Sequence, residues 1–197
     1  MENIRINFND LPDDVQEKVR EFYCDDYTLA ERFTEDCEMW LEENFKQSEL
    51  EVQYSLCYCQ GDGFTIYGTL YYSDIVDKID YAAYGFTAKE EKFIKWAVKE
   101  GYGYSVQIPV DYHGNYFPSS LVDFGYNIEN DLEYNGIRGI KYAALEKFDK
   151  ACCDYFEELC AKFAADGYEY FYEPSEDELQ YLFDEYFAEE YAERLEA

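Results

Sequence analysis

Histidine is nearly missing from this sequence: His113 is the single one in 197 residues. Any Cys–His nucleophile, Ser–His dyad or mixed Cys/His metal site would have to use it, and its neighbours Gly114 and Asn115 mark a solvated loop. Basic residues are scarce as well, 16 Lys+Arg against 45 Asp+Glu, for a formal net charge of -29 and a pI near 4.1. A field of that sign repels phosphate, which argues against direct binding of nucleic acid or of an anionic membrane surface. No apolar run approaches the roughly 18–20 residues that a spanning helix needs. The start MENIRINFND has neither the basic residues nor the apolar stretch of a secretory signal, so a cytoplasmic protein is expected. Also lacking are the phosphate loop G-x-x-x-x-G-K-S/T, the zinc helix H-E-x-x-H and the nucleophile elbow G-x-S-x-G. Gly101-Tyr102-Gly103 follows a helical pattern and leads into a strand, the reverse of the dinucleotide-binding order. No linker composition and no internal repeat interrupts the chain, which predicts one domain over 1–197.

What is present is core material. Hydrophobic residues make up 48% and aromatics 20%, with 23 Tyr and 15 Phe, and that excludes an acidic disordered tail. Seven cysteines stand at 24, 37, 57, 59, 152, 153 and 160. An odd number without a signal predicts reduced thiols. Neither Cys57-x-Cys59 nor Cys152-Cys153 has zinc-knuckle spacing, so a zinc site would have to be assembled from distant segments, and free cysteines mostly act as small buried hydrophobes. No metal and no cofactor is expected.

Periodicity predicts a helix over 8–26, with Asn9 or Asp10 as cap, Pro12 in the first turn and Leu11, Val15, Val19 and Phe22 on one face. A second is predicted over 28–46, its apolar stripe Leu29, Phe33, Cys37, Trp40, Leu41 and Phe45 opposed by Glu31, Glu35, Glu38 and Glu42. The β-favouring runs 50–59 and 64–72, separated by Gln60-Gly61-Asp62-Gly63, predict a hairpin. A short helix over 73–80 follows, then one from the Thr87 cap to Glu100, stopped by Gly101. Strands are predicted over 102–110 and 121–129, joined by the loop 111–120. A long helix over 140–166 is expected to stop at Gly167, followed by an extended piece over 168–172 and a last helix opened by Pro174 and Ser175. The order predicts an α+β fold, an antiparallel sheet covered by helices with helical N- and C-terminal regions.

Glycines around Asp62 suit a tight turn, and they also suit a backbone nest or a carboxylate bent toward a metal. Asn9-Asp10-Leu11-Pro12 before a helix, and then Tyr54-Ser55-Leu56 leading to Tyr58-Cys59-Gln60-Gly61-Asp62-Gly63, resemble a group of small acidic proteins of phages and mobile elements that carry a QGDG hairpin. The long helix, Tyr-rich piece and acidic end over 144–178 extend the resemblance along most of the chain. Some acidic phage proteins of this size are anti-CRISPR or anti-restriction inhibitors, so the resemblance implies action in the host bacterial cytosol.

Charge is unevenly spread. Residues 1–47 carry 14 acids and 5 bases, 48–147 carry 15 and 8, and 148–197 carry 16 and 3. In the last helix a buried stripe of Leu179, Leu182, Phe183 and Tyr186 would leave Glu185, Glu189 and Glu193 on solvent at i, i+4 spacing. Residues 173–196 hold 10 acids, roughly one charge per 3.6 Å of helix, close to the spacing of phosphates along one DNA strand. Acidic helices often serve solubility alone, yet self-repulsion at -29 works against compaction, and a partner with a basic channel relieves it. The sequence therefore predicts a non-enzymatic inhibitor of a host defence nuclease, first a Cas9-type CRISPR effector and second a restriction enzyme. Contacts are expected from Glu178, Glu185, Glu189 and Glu193 and from Glu35, Glu38 and Glu42. An alternative is a small metal- or nucleotide-linked enzyme built on Asp62 and the 111–120 loop. A structural or regulatory phage protein is a third reading.

Overall fold

The computed structural model describes residues 6–24, 28–58, 62–110 and 116–196, with the side chains of 193, 195 and 196 left out. It is α+β, as the sequence predicts, with helices toward both ends and a three-stranded antiparallel sheet. The chain divides into two compact units, Met1–Phe33 with Asp166–Ala197, and Thr34–Ala165. Neither junction has linker composition, because both fall inside helices. No helix among the described residues is long and apolar enough to cross a membrane.

The first unit joins the two ends of the chain. Phe8–Asp10 is a 3-10 turn capped by the Asn7 side chain, and α1 (Asp13–Cys24) follows Pro12. Opposite them run α7 (Glu176–Leu182), a π-helical turn (Phe183–Phe187) and α8 (Ala188–Glu196). Phe8, Leu11, Val15, Val19, Leu179 and Phe183 form its core, with Ile6, Leu182, Phe187, Ala188 and Tyr191 packed against it. Each such side chain contributes about 1.5–3 kcal/mol by leaving water. The Gln180 amide ties the ends by accepting from the Phe8 N–H (2.7 Å) and donating to the Ile6 carbonyl (3.1 Å). The π turn corrects the expected stripe. It widens the helix by a residue, so the core-facing positions continue from buried Phe183 to half-buried Phe187 and Tyr191, and Tyr186 stands 58% exposed.

The second unit is built on the hairpin of β1 (Glu49–Ser55) and β2 (Gly63–Tyr71), with β3 (Ser105–Ile108) on the far side of β2. The register pairs Glu49 with Thr69 and Ser55 with Gly63, then Gly68 with Ile108 and Tyr71 with Ser105. Leu50, Val52, Phe64, Ile66, Leu70, Val106 and Ile108 share the buried face. Within this unit, Phe156 of α6 (Tyr142–Tyr172) packs on the rings of Phe45, Phe117 and Phe124, while Phe163 meets Trp40 and Phe64. Gly68 adopts φ +117°, and a Cβ there would collide with the Glu49 carbonyl, so the register depends on its missing side chain. The expected helix over 28–46 is α2 (Thr28–Asn44), and the expected helix after Thr87 is α4 (Ala88–Lys99) with a full capping box. Over 73–80 the helix shortens to α3 (Tyr72–Ile75).

Two expectations are overturned. Residues 121–129 are not a strand: α5 (Phe124–Tyr134) starts there, capped by Asp123, whose carboxylate accepts from the Tyr126 N–H at 2.7 Å. Phe124, Ile128 and Leu132 are its buried stripe at i, i+4, i+8, a helical period that the aromatic content of the segment obscures. Nor does Gly167 end α6, which continues to Tyr172, so the expected extended piece over 168–172 is helical. Gly167 is buried within the helix, and Pro174 is the actual stop, since it lacks an N–H and keeps the preceding residue out of the helical region.

Candidate functional site

Acid is concentrated in the first unit, which holds 21 Asp+Glu and 5 Lys+Arg in its 65 residues. On it, Glu178, Glu185 and Glu189 are exposed along the final helical run, and Glu193 lies in α8 with its side chain outside the described residues. The Glu178 Oε2 also closes the α7 capping box, accepting from the Ser175 N–H (2.9 Å) and hydroxyl (2.7 Å). Its charge thus sits at the helix N-terminus, where the macrodipole favours it. Glu35, Glu38 and Glu42 fall in the second unit, at i, i+3, i+7 on α2, with Glu35 and Glu42 exposed and Glu38 half-buried. The predicted contact residues are therefore two separate acidic faces, one in each unit.

Two hollows in the first unit went unread in the sequence. One, of about 350 Å³, is lined by Tyr23, Asp166, Glu169, Tyr170, Glu173, Ser175 and Glu178. The other, of about 600 Å³, shares Tyr23 and Glu178 and adds Thr28, Leu29, Arg32, Asp177 and a tyrosine rim of Tyr181 and Tyr186. Tyr23 forms their common floor, 5% exposed, its hydroxyl donating to the Tyr170 carbonyl at 2.7 Å. Burial, and secondarily the Glu178 charge, push its pKa up to about 12, so the phenol stays protonated. Asp166 and Glu169 on α6, and Glu173 one residue past its end, fall at i, i+3, i+7 on one face, the Glu173 N–H still donating to the Glu169 carbonyl at 2.9 Å. Reading 168–172 as extended hides that face, because a strand would send Asp166 and Glu169 to opposite sides.

The hairpin residues have a structural part. Asp62 is 8% exposed and its Oδ2 accepts from the Cys57 N–H at 2.9 Å, closing the loop that begins after Ser55. Tyr58 in that loop holds φ 54°, and Gly63 opens β2. Gln60 and Gly61 lie outside the described residues, as do Cys59, His113 and the 111–115 part of the loop joined to Asp62 in the enzyme reading. Among the described residues no group of three His, Cys, Asp or Glu side chains is placed to hold a metal ion. Of the thiols, Cys152, Cys153 and Cys160 are buried, and desolvation drives their pKa values up, those of Cys153 and Cys160 to about 12. Such thiols are poor nucleophiles.

Several cations of the second unit are engaged internally, over rings. Lys147 pairs with Glu90 and lies 5.5 Å from the Phe86 ring centroid, Lys150 pairs with Asp154 beside Tyr84, and Lys95 pairs with Asp77 and Glu91 beside Tyr81. No family model matches the chain, and no curated protein or solved structure matches it.

Proposed function

We propose that this protein is a non-enzymatic inhibitor that occupies the nucleic-acid-binding surface of a host defence nuclease, a Cas9-type CRISPR effector in the first place and a restriction enzyme in the second. The observation that carries the reading is the acidic excess of the first unit, 21 acids against 5 bases in sequence, with Glu178, Glu185 and Glu189 exposed along its final helical run. Carboxylates spaced along a rigid helix stand in for phosphates against the Lys and Arg of a basic channel, giving fast, salt-sensitive association. Exposed tyrosines, Tyr181 and Tyr186 among them, add rigid contact area of the type found in binding hot spots. Nucleic acid is then a competitor, not a ligand. Expected is capture of a purified Cas9-type effector at low salt, release at high salt, and loss of DNA binding by the captured effector. Failure to bind either nuclease class at low salt would refute the reading. The enzyme alternative rests on an available Asp62, yet that carboxylate is spent on its own loop. Metal analysis of the purified protein tests it.

A further inference from the structure

We propose that α4 is a docking face for a second copy of this chain, whose α2 supplies the matching surface. The inference goes beyond the inhibitor reading and does not depend on it. In a chain with 45 acids and 16 bases, α4 sorts its charges by face. Its two acids are half-buried and occupied, Glu90 with Lys147 and Glu91 with Lys95. Its exposed residues are Ala88, Lys89, Lys92, Trp96 and Lys99. None of these three lysines has an ion-pair partner among the described residues. Trp96 stands 37% exposed between Lys92 and Lys99, with the rings of Phe93 (6.1 Å) and Tyr102 (5.5 Å) against it. A cationic face centred on a ring calls for a partner that brings carboxylates around an apolar side chain.

The second unit itself carries that complement. On α2, Met39 stands 58% exposed between exposed Glu35 and Glu42, and neither carboxylate is in an ion pair among the described residues. The offsets are the same on both helices. Glu35 and Glu42 lie four residues before and three after Met39, as Lys92 and Lys99 do around Trp96. Seven residues of helix span about 10.5 Å on each. Laid side by side in parallel register, the helices form both ion pairs at once and bring the Met39 thioether onto the Trp96 ring, a favourable contact in its own right. Both faces are exposed within one molecule, so the match is available only between molecules. A two-fold arrangement makes the contact twice and closes on a dimer. Opposing it is the repulsion of two molecules at -29, which acts at long range, whereas the pairs act at contact. Salt separates the two, because the screening length falls from about 30 Å at 0.01 M to about 8 Å at 0.15 M.

The test is sedimentation velocity of the full chain over a concentration series at three salt levels. Wild type is expected to self-associate more strongly at about 0.15 M than at about 0.01 M, and more weakly again near 1 M. Lys92→Glu with Lys99→Glu, and separately Glu35→Lys with Glu42→Lys, should each weaken self-association about tenfold or more. All four positions are exposed, and circular dichroism checks that both variants fold. An equimolar mixture of the two variants should recover wild-type association, because each reversed face then meets a reversed complement. Bulk charge alone gives a different pattern, in which the less negative Glu35→Lys, Glu42→Lys variant associates more readily than wild type. That pattern, a mixture no better than its components, or a wild type that stays monomeric at about 0.15 M would overturn the docking face. A monomeric wild type that still captured a nuclease would leave the inhibitor reading standing. A self-associating protein that captured none would uphold the docking face and overturn that reading.

Discussion

Two carboxylates carry opposite pH signatures. Glu90 caps α4, its Oε2 accepting from the Thr87 N–H (2.7 Å) and hydroxyl (2.8 Å), and Lys147 pairs with it. The Thr87 hydrogen bonds, foremost, and Lys147 hold its pKa down, from 4.5 to about 2. A depressed carboxylate contributes stability above its unfolded pKa and loses it as pH falls through the folded value, so this contribution should vanish between about pH 4.5 and 2. In Glu90→Gln the melting temperature should be below wild type at pH 6 and converge with it near pH 2. Asp149 runs the other way. Half-buried, it accepts from the N–H groups of Phe124 (2.6 Å) and Gly125 (3.4 Å) at the start of α5, yet desolvation raises its pKa. A raised group stabilises below its unfolded pKa and loses that as pH rises through the folded value. Asp149→Asn keeps an acceptor and removes the charge, so its stability relative to wild type should improve from pH 3 to pH 7 in urea titrations. Asp62 gives a third residue-scale test: Asp62→Ala should cost about 1 kcal/mol through the lost bond to Cys57, and Asp62→Asn should recover most of it.

Among the elements, legibility follows how local the signal is. The hairpin, α2 and the Thr87-capped α4 are readable because their periodicity and caps lie within a few residues of one another. The missed elements depend on partners distant in sequence. Gly125 lets α5 approach α6 so closely that an added Cβ would stand 2.8 Å from the Leu145 carbonyl oxygen, and no local pattern announces a Gly placed for that reason. Gly167 continues a helix because it is buried, overriding a propensity deficit of about 1 kcal/mol against Ala. The carboxylates of the candidate site were countable in sequence, but the hollow over Tyr23 lined by α6 was not. It needs α6 to reach Tyr172 and needs Tyr23, from the other end of the chain, as its floor. The contest at Gly125 can be measured. Ala gains about 1 kcal/mol of helix propensity, while forcing a methyl against backbone costs about 1–3 kcal/mol. Because the atom met is a carbonyl and not the end of a flexible side chain, the clash should win, and Gly125→Ala should lower the urea midpoint.

At the scale of the whole molecule, charge and shape act on different steps of binding. A net charge of -29 is felt before contact: under the proposed reading it would steer a basic partner inward, and it fades beyond about 8–10 Å at physiological salt. Close contacts act only after encounter and so govern how long a complex lasts. Exposed Glu185 and Glu189, with Glu193 two turns further along the run, belong to the first step. Converting these three together to Gln retains size and helix propensity and relieves repulsion at i, i+4, so circular dichroism should show a helix no less stable than wild type. Association with a Cas9-type effector should nevertheless slow several-fold at low salt, with a shallower salt dependence and a dissociation rate near wild type. Stopped-flow kinetics at two salt concentrations read both rates for wild type and the triple variant. If the triple variant left association unchanged, the steering field would have to come from elsewhere, and Glu35, Glu38 and Glu42 on α2, a second acidic set at i, i+3, i+7, would be the residues to neutralise next.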